Sequence, residues 1–193
     1  MPVDYFPVYH ATLLHRAAPA GFNRTASFLK IVCANIAVDL NQINDAPHFD
    51  NSSFASGVEH INELWSRIEA GNACMTNFGR LTHTVQDFYS HSNWVELHDH
   101  LKPIPTWDLN LQSLPALTLS GTFRRRRALD SSKPPTHSEL NKDSPFAWFS
   151  PTGARVVANG PNQGTTLFEL GYHAALAATR IQFDRLMRVL ASG

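Results

Sequence analysis

The chain has 193 residues, of which 43% are hydrophobic and 17% charged, and its sixteen basic residues balance sixteen acidic ones. This composition excludes a disordered chain, and the balance excludes a global field that would gather nucleic acid or an anionic membrane. The length suits one domain, 1–193, with a core buried without disulfide staples; the two cysteines, Cys33 and Cys74, fall in apolar helical pattern and read as small buried residues.

The departure from ordinary composition is the ten histidines. With only two cysteines, a zinc site here must use imidazole and carboxylate. No stretch approaches the ~20 apolar residues of a membrane-spanning helix. The opening MPVDYFPVYH lacks the basic and apolar regions of a signal peptide, so the expected location is cytoplasmic, or outside by a leaderless route.

A first helical pattern covers about 6–18 (FPVYHATLLHRAA), carries His10 and ends at Pro19 to Gly21. A second follows Asn23, a good N-cap, through TASFLKIVCANIAVDL. Between it and the third pattern, Ser52 to Ala70, lies NDAPHFDNSSF, with Asp45, His48 and Asp50 on a loop held by two helices. The plainer reading of that loop is an Asx-rich turn in which Asp50 or Asn51 caps the next helix.

A fourth pattern runs from Cys74 to Ser90, with an extension through NWVELHDH. At ~100° per residue, Asp87 lies about 40° around the helix from His83, and His91 about 80°. The i, i+4 spacing leaves His83 and Asp87 about 5–6 Å apart at Cβ, a gap that two ligands of one ion span. Leu81, Val85 and Phe88 face the other way, toward a core. A lone His-x3-Asp pair is common by chance; His91 is what turns this one into a stripe. His98 and His100, flanking Asp99, read as surface residues, and His15 and His60 as structural ones.

From 101 to 164 prolines recur among Ser, Thr, Gly and Asn, and the segment reads as one long irregular insertion with short strands at LPALTLSGTF. A loop of this length in a compact domain is usually functional or disordered. It contains THSELNKD, with His137, Glu139 and Asp143, and FRRRRALD, in which Arg124, Arg125, Arg126 and Arg127 are candidates for contact with phosphate or an anionic bilayer. A solvated basic loop is the competing reading. Phe123, Leu129, Trp107, Trp148 and Phe149 are candidates for a lid. The last pattern, Thr165 to Ala191, holds Glu169 and His173 at i, i+4, a pair that is more often a simple hydrogen bond than a ligand pair. The fold class is all-α: a bundle of about five main helices around inward-facing ligands, with one long loop.

The segments HFDN, FGRLTHTVQDFYSHSNWVEL and HSELNKD, followed by a His-bearing, alanine-rich final helix, resemble the HET-C heterokaryon incompatibility family from about His10 onward. That family is distantly similar to zinc-dependent phospholipase C and the fungal single-strand nucleases, which are all-helical and hold a trinuclear zinc cluster. His83, Asp87 and the run His91, Ser92, Asn93, Trp94 match their signature, and Asp50 to Ser56 matches the phospholipase DNS-x-FAS run. His10 corresponds to the early histidine on their first helix. The chain departs in four ways: Asp87 and His91 stand two residues closer, Gly57 replaces a ligand histidine so that His48 must substitute, the N-terminal tryptophan ligand is missing, and Glu169–His173 reverses a His-x3-Glu order.

The resemblance implies one to three divalent ions, zinc first and manganese or calcium next; the departures favour one or two. The ligands so implied are His10, His48, Asp50, His83, Asp87, His91, His137 and His173. Asp45 or Asp50 serves as general base or bridging ligand, and Asn93, Glu96 and Glu169 orient the imidazoles. The implied reaction is phosphoester hydrolysis by a metal-activated water, on a phospholipid head group or a smaller ester. Peripheral membrane contact is an expectation; specific nucleic-acid binding is not. The alternative is a non-catalytic interaction, cell-death or toxin protein with a structural or decayed metal site.

Overall fold

The computed structural model describes residues 7–41, 44–122 and 135–192. Among them are seven α-helices and no strand. Helix α1 (Pro7–Ala17) buries Leu13, Leu14 and Ala17 against the last helix and α2. Helix α2 (Ala26–Ile36) is capped by Thr25, whose hydroxyl accepts from the Phe28 N–H at 3.1 Å. The expected cap, Asn23, instead lies in a 3-10 turn with its amide 3.2 Å from His15 Nε2. Helix α3 (Phe54–Glu69) turns Ile61, Leu64, Trp65 and Ile68 inward, the three-and-four spacing of an amphipathic helix.

Helix α4 (Cys74–His91) is the central element, packed against α2, α3 and α7 (Leu167–Ser192), and from Asn77 to His91 only Arg80 escapes burial. Gly79 lets α2 come this close: a Cβ there would stand 2.3 Å from the Ile31 carbonyl oxygen. On the α7 side, Ala174, Ala175 and Ala178 are buried. Each large apolar side chain buried around α4 contributes roughly 1.5–3 kcal/mol. Adding a methyl at Gly79 would force the α2–α4 backbones apart, so it is the smallest change that breaks this packing.

The long segment is irregular, as its prolines dictate, but it is not an appendage. Trp107 is 5% exposed and packs on Phe88 at 4.6 Å between ring centroids, while its N–H donates to the Tyr89 hydroxyl at 2.9 Å. It belongs to the core rather than to a lid; Trp148, by contrast, is exposed. The strands expected at LPALTLSGTF are absent among the described residues. Two isolated bridges take their place: Ser92 with Ser120 ties the segment to the C-terminal end of α4, and Thr122 with Thr136 ties two parts of the segment together. Short helices α5 (Trp94–Leu97) and α6 (His137–Leu140) complete the fold.

Cys33 is exposed on the outer side of α2 and Cys74 half-buried, both as free thiols, so neither is the core residue its apolar surroundings suggested. No described helix is long and apolar enough to cross a membrane. The four arginines at 124–127, with Phe123 and Leu129, lie outside the described residues.

Candidate metal centre

Helix α4 presents His83, Asp87 and His91 on one stripe, and all three are fully buried. Around Asp87 the fold gathers side chains from four other segments. His10 comes from α1, with Nε2 3.4 Å from Asp87 Oδ1. Asp39 comes from the 3-10 turn Ala37–Leu40 that extends α2, 3.4 Å from His83 Nε2. His48 comes from the 3-10 turn Ala46–His48, with Nδ1 2.8 Å from Asp87 Oδ2. His137 and Asp143 come from the long segment. Three groups of side chains have ligand atoms close enough to hold an ion: His10, Asp39 and His83; His48, His83 and Asp87; His91, His137 and Asp143.

In the second group, His83 Nε2 lies 2.9 Å from Asp87 Oδ2 and 3.3 Å from His48 Nδ1. Donors at ~2.0–2.1 Å from one tetrahedral ion stand about 3.3 Å apart. The hydrogen bonds behind these groups point the same way. The other nitrogen of His48, Nε2, is 3.2 Å from the Asn41 carbonyl, which can only accept. A neutral His48 therefore carries its proton on Nε2 and turns a lone pair on Nδ1 toward a carboxylate oxygen. Two acceptors at 2.8 Å need a cation or a proton between them.

The orientation of His10 has the same logic. Its Nδ1 is 2.6 Å from Gln86 Oε1, an oxygen that also accepts from Asn35 Nδ2 at 3.2 Å, while Gln86 Nε2 donates to Thr179 Oγ1 at 3.3 Å. That network fixes the amide, so His10 donates from Nδ1 and presents a lone pair on Nε2 toward Asp87. Acceptors placed behind imidazoles in this way orient metal ligands and raise their basicity.

Asp87 links two sets of donors. Its Oδ2 faces His48 and His83, while its Oδ1 faces His10 at 3.4 Å and His91 at 3.9 Å. With protons rather than an ion between these groups, burial pushes the carboxyl up, but the charge interaction with His83 and the hydrogen bonds shared with His48 and His83 more than reverse this, so it is held well below the usual carboxylate range. Buried Oδ1 accepts no hydrogen bond among the described residues. An unsatisfied, buried carboxylate oxygen among imidazole nitrogens fits a divalent ion.

The third group forms at the end of α4. His91 Nε2 is 3.5 Å from Asp143 Oδ1, and the His91 ring stacks on His137 at 3.8 Å. His137 Nδ1 is 3.0 Å from Asp50 Oδ1. Burial raises the Asp50 carboxyl pKa despite the opposing hydrogen bond and charge of His137. The Ser90 hydroxyl donates to Asp143 Oδ1.

Backbone contacts deliver these loop residues. Gly121 donates its N–H to the His91 carbonyl at 2.9 Å and accepts from Asn51 N at 2.7 Å, and a Cβ there would stand 2.5 Å from His137 Cα. The turn carrying His48 and Asp50 is strained: Phe49, Asn51 and Ser52 all take positive φ, at 53°, 57° and 56°. The buried Phe49 ring anchors the turn over Gly57, where a Cβ would meet it at 2.2 Å. Gly57 thus makes room for the turn that supplies His48.

Five residues expected at the site stand elsewhere. His173 is exposed on α7, because the face of that helix toward α4 is taken by alanine and leucine. Glu169 is also exposed and caps α7, its Oε2 accepting from Thr166 N and Oγ1, both at 2.8 Å. Asn93 pins the long segment through the Leu117 carbonyl and the Leu119 N–H. Glu96 pairs with Lys142 at 3.2 Å rather than with an imidazole. The carboxylate of Asp45 belongs to none of the three groups; its carbonyl accepts from His48 N and Asp50 N and so shapes their turn.

Asp39, Asp143 and Gln86 join the centre, although sequence reasoning did not select them as site residues. An aspartate in the apolar run IAVDL and a glutamine inside the ligand stripe of α4 are the signals that pointed to two of them. Asp143 stands in THSELNKD, six residues from His137, where no spacing to a histidine marks it as a ligand.

Comparison with curated proteins and with solved structures gives no match. Residues 6–110 match the family model described as VWA7 N-terminal domain. The match spans His10, Asp39, His48, Asp50 and the whole α4 stripe, and ends before His137 and Asp143. It covers more than half of the chain, which therefore belongs to the VWA7 N-terminal domain family.

Proposed function

We propose that this protein is a metal-dependent phosphoesterase whose ions, zinc first among them, are held by the His–Asp cluster on α4. The observation that carries the reading is Asp87, a fully buried carboxylate whose two oxygens face two different sets of imidazole nitrogens. A carboxylate so placed would hold an ion with His48 and His83 and face, across its other oxygen, one held by His91. One ion would sit with His48, His83 and Asp87, with His10 and Asp39 adjoining, and another with His91, His137 and Asp143.

Divalent ions held there supply a water acidified toward neutrality and an electrophilic clamp for phosphoryl oxygens. The chain's own residues do the rest. Gln86 and the Asn41 carbonyl set the tautomers of His10 and His48. Asp50 holds His137 and is the buried carboxylate nearest to a general-base role; Asp45 is set aside for that role. The resemblance to HET-C proteins, and through them to phospholipase C, supports the same chemistry.

One observation favours a second reading. Apart from Asp39, at 10%, no candidate ligand side chain is more than 5% exposed. A centre so enclosed suits a structural ion in an interaction or cell-death protein.

Metal analysis by mass spectrometry on the purified protein, beside His83→Ala and His91→Ala with circular dichroism, separates these outcomes. Two ions per chain, lost in folded variants together with turnover of bis(p-nitrophenyl) phosphate, is the expected result. Bound ions without turnover support the structural reading. No metal after reconstitution with zinc and manganese sinks both.

A further inference from the structure

A cleft with a volume of about 350 Å³ opens between the end of α2, residues 44–47, α3 and α4, and Arg80, His60, Asn41, Asn44, Val38 and Pro47 line it. It lies on the least buried side of the centre: Val38 and Asn41 flank Asp39, and Pro47 precedes His48. Asn41 belongs to both: it lines the cleft, and its carbonyl accepts from His48. Arg80 is the one exposed residue on the buried length of α4, three positions before His83 and so about 60° from it around the axis. Among the described residues it forms no ion pair.

We infer that this cleft is the recognition site for a phosphate monoester, with the Arg80 guanidinium as its anion fork and the amides of Asn41 and Asn44 as its remaining donors. The inference rests on the phosphoesterase reading for the identity of the neighbouring ion. A planar fork matches phosphate oxygens in a way that a point charge does not. His60 adds a neutral imidazole: burial first, then Arg67, Arg80 and His48 against Glu63, holds its pKa below the ordinary histidine value. The cleft's volume fits a phosphate with a small organic group. Because a free monoester and the head group of phosphatidic acid carry the same phosphate, both sources enter the test.

Calorimetric titration of the zinc-loaded protein with inorganic phosphate is the first arm, on the wild type, Arg80→Gln, Arg80→Lys and the exposed control Arg188→Gln. Arg80→Gln is expected to weaken phosphate about tenfold to a hundredfold, Arg80→Lys to recover part of this, and Arg188→Gln to change it less than twofold. The second arm compares KM for p-nitrophenyl phosphate with turnover of vesicles containing phosphatidic acid. A rise in KM for the small ester alone assigns the cleft to free monoesters, and a parallel loss on vesicles assigns it to the lipid. Unchanged phosphate affinity in Arg80→Gln, or no phosphate binding by the wild type, overturns the inference. Turnover with a KM indifferent to Arg80 removes the cleft and leaves the phosphoesterase standing. Arg80-dependent phosphate binding without turnover does the reverse.

Discussion

The two ends of the ligand stripe on α4 are built differently. At the His83 end, the partners His10, Asp39 and His48 come from a helix or from short turns locked against α2 and α3. At the His91 end, they come from an irregular segment held by single hydrogen bonds: Gly121 N to the His91 carbonyl, His137 N to the Thr122 carbonyl and Lys142 N to the Ser90 carbonyl. Lys142 completes the clamp, fully buried, with Nζ donating to the Ser92 carbonyl at 2.6 Å, the Leu140 carbonyl at 2.8 Å and Glu96. A centre on helices keeps its geometry when one contact is lost. A centre on a tethered loop does not, so the His91 end should fail first under any perturbation that spares α4.

The largest effect should come from the residue both ends share. Asp87→Ala is expected to abolish metal binding at both ends and to lower stability by about 3–5 kcal/mol, because it leaves buried imidazoles without their counter-charge. Metal analysis beside chemical denaturation checks this. If only one ion is lost, Asp87 does not link the two ends.

Lys142→Met sharpens the contrast. It leaves two buried carbonyls unsatisfied, while Glu96 keeps Arg155 at 3.9 Å, so the cost is about 1–3 kcal/mol. Metal bound by His91, His137 and Asp143 should be lost, and metal at the His83 end retained. Equal loss at both ends would mean that the helices are not the more robust scaffold.

The stripe on α4 was legible in the sequence because it obeys one period: His83, Asp87 and His91 repeat every four residues, and the helix patterns fell within a few residues of the elements formed. The loop end was legible only as a list of residue types. His137 joined the cluster and Glu139 did not, because Glu139 closes a capping box with Thr136; the Thr-x-x-Glu spacing of that box stands in the sequence, but nothing local marks Asp143 as a ligand. Asp39 was missed for another reason: the pattern ran one helix on through Leu40, whereas α2 ends at Ile36 and a 3-10 turn carries the residue inward.

The acid limb offers a smaller test, on chelator-treated protein that remains folded. Asp87 has a folded pKa below the ordinary value of about 3.9, so its contribution is present above that pH and is lost as pH falls through the folded value. Asp50 has the opposite sign. Its folded pKa is raised, so its contribution is present below about 3.9 and is lost as pH rises through the folded value. Asp87→Asn should therefore flatten the loss of stability in acid, and Asp50→Asn should gain on the wild type as pH rises past that window. Denaturant midpoints measured from pH 3 to 6 check both, and matching slopes in the two variants would contradict the opposed environments.

The smallest effects belong to the pair on α7 that spacing alone could not interpret. Glu169 accepts from Thr166 N and Oγ1, and Thr166 Oγ1 accepts in turn from Glu169 N at 3.2 Å, so the pair closes the first turn of the helix. Glu169→Ala should cost about 1 kcal/mol, a fall of roughly 2–4 °C in Tm, with metal content unchanged. His173→Ala, at an exposed position, should stay within about 0.5 kcal/mol and also leave metal content unchanged. Loss of an ion in His173→Ala would return α7 to the ligand set and show that the centre draws on the final helix as well as on the tethered loop.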